Sequence, residues 1–320
     1  MSCKCGALVK AIDAYLQKAD GDLGEALQDA GFISSADTVA AISELEERIA
    51  EALKDQTGRV LGAVERAEDL QDFAKGLWPK FKQDDGLGRT LNDIFFEEFS
   101  AYVPGLITGY ITKIDPELVV AAITKRTTAW IKDWSAELAD IMKLNSHTEI
   151  ESILVAGLEK GQGVAEFARS ILDSGIRDEY YKARRVALTE VLTAHSVAQQ
   201  EALIQSPAVE EKAWAHTGEH KNKPRENHVA MNGKRAPKDK PFTLKGADGG
   251  TYFPMFPRDT ELPAGERINC HCIHQGIASE EVLGLPLEER KKLQQAAIDA
   301  DDGEWEKELD AKNRAKAGIG

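Results

Sequence analysis

A chain of 320 residues with 42% hydrophobic and 29% charged side chains has the makeup of a soluble globular protein, with material for one large core or roughly two to three smaller ones. Its formal charge of -14 excludes adhesion of the whole surface to nucleic acid, so any DNA contact must use a local basic patch. No apolar run reaches the length of a membrane span and nothing at the N-terminus resembles a signal peptide, so an intracellular product with reduced thiols is expected.

Residues 1–35 predict two short helices, because Leu8, Ile12, Tyr15 and Leu16 share one face and Gly21 and Gly31 punctuate. Cys3 and Cys5 stand at the extreme end, where two thiols are expected to stay unbound. From Ser35 to about Gln83 the apolar positions Val39, Ile42, Leu45, Ile49, Leu53, Val60 and Val64 recur at helical spacing. They predict an amphipathic helix packed on its own domain, with a break near Gly58 or Gly62. A compact helix from Leu91 to Tyr102 is expected to end before Pro104. Asp115 and Pro116 read as N-cap and first turn of an apolar helix that runs to Leu144 and carries Trp130 and Trp134 side by side.

Ser146, His147, Thr148 and Glu149 look like a capping-box start for a helix to Gly161, and Phe167, Ile171 and Leu172 give a short helix ending at Gly175. A long helix follows from Asp178 to Gln205, on which His195 is expected to be a surface or packing residue. Composition changes at Ser206 and Pro207. Beyond them, strands are expected at Val209 to Trp214, around Phe242 to Leu244 and at Thr251 to Phe253, with a turn at Asn232 and Gly233. After Ile277 come one or two charged helices, expected to be solvated or weakly docked. The fold class is therefore α+β: mostly α-helical N-terminal and middle regions, then a small loop-rich β-containing module, then a C-terminal helix. The expected segments are 1–35, 36–145, 146–212, 213–277 and 278–320.

Chemistry-bearing side chains collect between Trp214 and Ile277, where His216, His220, His228, His271 and His274 accompany Cys270 and Cys272. A module of roughly sixty residues, rich in Gly, Pro and Lys, has few large apolar side chains, and domains that small often need a staple. One zinc ion held by thiolates and imidazole supplies roughly 10 to 16 kcal/mol of apparent binding free energy to folding. The candidate ligands are His228, Cys270 and Cys272, with a fourth from His216, His220 or His274. The other reading is that buried thiols and His228 hydrogen-bond, pack and turn a tight corner. The same segment holds Lys221, Lys223, Arg225, Lys234, Arg235, Lys238, Lys240 and Lys245 against only Glu226 and Asp239. That run reads either as a phosphate-facing patch whose binding weakens with salt, or as a solvated loop.

One ordered series of residues resembles the phage Mu F-like family of minor head (phage head morphogenesis) proteins. It comprises Thr189-Glu190, Trp214, Thr217, Glu219, Arg225-x-x-His228, Asn232-Gly233, Pro241-Phe242, Pro257-x-Asp259 and Ile268-Asn269-Cys270-His271-Cys272. The resemblance spans about residues 150 to 276. Two positions depart from the family pattern: Glu219 where Asp is common, and His271 where Arg is common. The resemblance implies a structural protein of the phage head, present in multiple copies and active in the host cytoplasm during assembly. Its implied partners are the portal protein and the major capsid protein, with packaged double-stranded DNA as a further contact. The rival class is a metal-dependent nuclease built on His216, His220, His228 and Asn232, but no carboxylate and histidine set stands at a recognised spacing. The roughly forty residues after Ile277 are too few for a toxin domain.

Overall fold

The computed structural model describes residues 22–217 and 224–317. They fall into two compact units: one comprises the segment ending at Ile42, Tyr102–Thr127 and the chain from Thr189 onward, the other Ser43–Ala101 and Thr128–Leu188. The expected helices and cysteines before residue 22 lie outside the described residues, although residues 22–29 are helical. Among the described residues no helix is long and apolar enough to cross a membrane.

The Ser43–Ala101 and Thr128–Leu188 unit is helical. Its core joins Val60, Val64, Leu70, Phe73 and Trp78 to Ile150, Leu154, Phe167 and Ile171. Helix Ser35–Val64 runs unbroken through Gly58 and Gly62. One glycine costs a helix about 1 kcal/mol, less than the apolar stripe on its inner face gains. The break falls instead at Glu65–Asp69, after which Asp69 caps a short helix that continues through a π-helical turn at Phe73–Leu77. Helix Leu87–Ile114 likewise carries Pro104 inside it. Burial of Leu106, Ile107, Tyr110 and Ile111 beyond the proline outweighs the lost backbone hydrogen bond.

Two expected helix starts are absent because their polar residues serve tertiary contacts. The helix after Asp115 begins only at Lys125 and then runs to Glu159. Asp115 instead accepts from the Glu117 N–H and pairs with Arg290. Ser146 to Glu149 lie in mid-helix, where Ser146 bonds Gln56, and His147 Nε2 sits 2.7 Å from the buried Asp85 carboxylate. Trp134 is buried, and Trp130 packs on Phe99 at 5.2 Å. No stop occurs at Gly175, since a single helix spans Val164–Gln205.

In the other unit the last turns of that helix are buried on every side, polar residues included. His195 is fully buried, with Thr38 Oγ1 and Tyr102 Oη 2.8 and 3.1 Å from Nε2 and Tyr110 Oη 3.0 Å from Nδ1. Glu201 takes hydrogen bonds from Thr124 and Thr127. Against this end lie β1 (Val209–Ala215), β2 (Arg235–Pro237) and β5 (Ile273–Ala278), an antiparallel sheet in the order β2-β1-β5. A bulge between Val209 and Glu211 turns Lys212 inward beside Trp214. A second, two-stranded sheet joins β3 (Leu244–Lys245) to β4 (Thr251–Tyr252). The C-terminal helix Leu287–Lys316 is docked along its first half, more firmly than the expected solvated or weakly docked helix. Arg290, Gln294 and Ile298 are buried: Arg290 meets Asp115 and Glu117, and Gln294 meets the Val119 carbonyl and Gln205.

Burial, reinforced by the charge of Arg258, holds the His195 imidazole down to about 3 from its ordinary 6.5. Between those values the unfolded chain binds a proton that the folded state refuses. Stability is therefore complete above about pH 6.5 and is lost as pH falls toward 3, by about 2 kcal/mol at pH 5. Urea unfolding at pH 7.5 and pH 5 should show His195→Gln losing about that much less than wild type on acidification. Equal losses would refute the assignment.

Candidate metal centre

The loop-rich module has a thin apolar core: Trp214, Met231, Ala236, Phe242, Leu244 and Leu262, completed by Cys270 and Cys272. Trp214 stands edge-on to Phe242 at 5.4 Å and to His228 at 5.8 Å. Polar joints supply the remaining order. Arg225 precedes the short helix Glu226–Val229 and donates to the Ile268 carbonyl at 2.6 Å, so His228 and the cysteine loop are set by one contact. Asp259 accepts from the backbone of Met255 and Glu261. Asn269, at φ 56, adopts the left-handed turn that Asn tolerates well, between the Ala264–Arg267 helix and Cys270.

His228, Cys270 and Cys272 converge. All three are buried, and their ligand atoms lie within 4.8 Å of one another. His228 Nδ1 is 3.4 Å from Cys270 Sγ and 3.9 Å from Cys272 Sγ. The other ring nitrogen, Nε2, is 2.7 Å from Glu266 Oε2. Glu266 is 3% exposed and also accepts from Asn227 Nδ2 at 2.9 Å and the Ala247 N–H at 2.7 Å. Burial opposes ionisation of Glu266, but these donors outweigh it and hold the carboxyl below its usual range. Burial also opposes the imidazolium of His228, yet the contacts with Cys270 and Glu266 raise its pKa. The hydrogen bond from Cys272, together with His228 and the charge of Arg258, outweighs burial and pulls the Cys270 thiol well below its ordinary value.

His216 brings Nδ1 to 3.5 Å from Cys272 Sγ, and its N–H is fixed by Asn232 Oδ1 at 3.0 Å. His274 stands apart from the thiols on β5, stacked on Phe256 at 6.0 Å. It is fully buried, and neither ring nitrogen has a hydrogen-bond partner among the described residues. Burial, with Lys212 and Arg258 nearby, keeps it neutral. His220, Lys221 and Lys223 lie outside the described residues. Of the other basic residues, Arg225 and Lys238 are committed to backbone carbonyls, Lys238 Nζ to those of Ile204 and Ser206. Arg235 and Lys240 are exposed beside Glu211, Asp239 and Glu304, while Lys234 and Lys245 are exposed.

Two residues central to this site were not singled out by the sequence. Arg258 occupies the variable place of Pro257-x-Asp259, is 1% exposed, and adopts φ 69. Its guanidinium donates to the carbonyls of Cys270, Cys272 and Leu192 and to Ser196 Oγ, at 2.6 to 3.0 Å. Glu266 looks like an ordinary helix residue, and its one signal is its place four residues before Cys270. The donor set fits a thiophilic ion such as zinc. With Zn–N near 2.0 and Zn–S near 2.3 Å, a tetrahedral N···S edge is about 3.6 Å, against the 3.4, 3.5 and 3.9 Å found.

Two substitutions separate joints from bystanders. Arg258→Lys cannot span three carbonyls and a hydroxyl, and should cost about 3 kcal/mol in urea unfolding. His274→Leu removes a buried ring with no partner and should leave the melting temperature unchanged or raise it. A large loss in the His274 variant would return that residue to the list of essential ligands.

The Phage Mu protein F like family matches residues 148–275, a span that contains Glu190, His216, His228, Arg258, Glu266 and both cysteines. A curated relative, the uncharacterized protein YqbB of Bacillus subtilis (strain 168), is 34% identical over 309 residues, covering 92% of this chain and 98% of that protein. No solved structure matches. The chain, aligned over nearly its whole length with one relative and carrying the motif residues in order, belongs to the Phage Mu protein F like family.

Proposed function

We propose that this protein is a structural component of the phage head that joins the portal or the inner capsid during assembly and stays in the virion in several copies. The observation that carries this reading is membership of a family of head morphogenesis. The site chemistry supports a non-catalytic role. His228, Cys270 and Cys272 are each no more than 3% exposed, whereas a nuclease metal must meet both water and a phosphate. The buried charges Arg258, Glu266 and Arg267 are engaged in holding loops. Ile141, Leu144 and Val155 expose apolar surface on one side of the Lys125–Glu159 helix, the kind of row that subunit contacts cover.

Mass spectrometry of purified particles should find the protein at a fixed ratio to the portal subunit. Its absence from both mature particles and assembly intermediates would overturn the proposal. Contact with packaged double-stranded DNA would fall to Lys234, Arg235, Lys240 and Lys245. Replacing these four with Gln should abolish low-salt binding to duplex DNA with the fold intact, and unchanged binding would remove the patch from the account.

A further inference from the structure

The geometry points to a structural zinc site in which His228 Nδ1, Cys270 Sγ and Cys272 Sγ bind the ion, with His216 the nearest further donor beside Cys272, and Glu266 positions His228. Four observations meet here. First, three soft or borderline donors from two separate loops converge in a buried space, and His216 reaches the same Cys272 sulfur. Second, a carboxylate only accepts, so the 2.7 Å contact with Glu266 requires a proton on Nε2 of His228. In the neutral ring the Nδ1 lone pair then faces the thiols, the tautomer that a metal on that side demands. Glu266 is itself locked by Asn227 and Ala247, so the orientation of the ring is built in.

Third, the hydrogen bonds that Arg258 donates among the described residues all go to neutral acceptors, although it is fully buried. A buried cation needs a counter-charge. Two thiolates with a divalent ion and neutral imidazoles form a group of zero net charge, leaving the Glu266 carboxylate to balance Arg258. Fourth, the strands here are two to seven residues long and the cysteines are themselves part of the small core, so a cross-link between the residue 228 and residue 270 loops ties together what apolar contact alone holds weakly. A Cys270–His228–Glu266 relay for nucleophilic chemistry would use the same contacts, but it gives no role to Cys272 or His216 and leaves the nucleophile at 3% exposure.

The full chain, purified under reducing conditions, is expected to contain one zinc per molecule by elemental analysis. It should melt at a lower temperature after chelation and recover on adding zinc alone. Cobalt(II) in place of zinc should give a thiolate charge-transfer band in the near ultraviolet with intense visible bands of four-coordination. Glu266→Gln should keep the charge-transfer band while weakening cobalt affinity roughly 10- to 100-fold, and Cys272→Ser should diminish the band. No stoichiometric zinc together with no thiolate band on titrating wild type with cobalt(II) would overturn the site, whatever the variants do. Rapid alkylation of Cys270 in metal-free and zinc-treated protein alike would also overturn it, in favour of a free nucleophilic thiol. These readouts are independent of where the protein resides in a particle.

Discussion

One guanidinium organises the module. Arg258 sits where a cation is least welcome, with no carboxylate among the acceptors of its hydrogen bonds, and it connects the carbonyls on both sides of His271 to Leu192 and Ser196 on the long helix. Its positive φ costs about 1 to 3 kcal/mol, a strain that persists only where the surroundings fix the conformation. Those surroundings are the four acceptors. Nine residues on, Arg267 repeats the device, contacting Glu190 at 3.1 Å and returning a hydrogen bond to the Arg258 carbonyl. Two arginines, not an apolar interior, thus set the Cys-x-Cys loop against the helix. Breaking either takes hydrogen bonds from several buried carbonyls or from a buried carboxylate, a larger penalty than losing one apolar contact.

The same logic explains which parts of the fold were legible. Helices with a clean apolar stripe, such as Ser35–Val64, could be read from periodicity, and so could β1, β3 and β4, whereas β2 and β5, the partners of β1, are too short or too mixed in composition to stand out. Elsewhere tertiary contacts override the local signals. Asp115-Pro116 and Ser146 to Glu149 have the composition of helix starts, but their side chains are drawn into pairs with Arg290, Gln56 and Asp85, partners between 62 and 175 residues away. Pro104 and Gly175 failed as stop signals because burial of the following turns, or simple helix continuity, prevailed over a penalty of one residue. A partner so distant in sequence leaves no mark on local spacing.

The candidate site was half legible for a related reason. Histidine and cysteine announce themselves by rarity, so His228, Cys270 and Cys272 could be grouped before their distances were known. Glu266 and Arg258 could not, since Glu and Arg are common on surfaces and only burial distinguishes these two. Conversely, Lys238 and Arg225 looked like part of a phosphate-facing run until their ammonium and guanidinium groups were found on carbonyls. Many positions of the family pattern are joints of the same frame: Asn232 fixes His216, Thr217 meets the His271 carbonyl, and Asp259 gathers the Met255 and Glu261 amides.

A frame of this kind suits a part that is built once and then endures. Ionic and hydrogen-bonded joints are directional, so they specify one loop arrangement where a small apolar core would permit several. Their weakness is cooperativity in reverse, because losing one partner strands the others. An ion shared by the loops around His228 and Cys270, as proposed, would remove that weakness, since it would bind only when both are in place and would hold them by bonds stronger than any single contact nearby. In that arrangement the imidazole turned by Glu266 and the carbonyls gripped by Arg258 are two ends of one device: the first aims a ligand, and the second fixes the backbone from which the thiols hang.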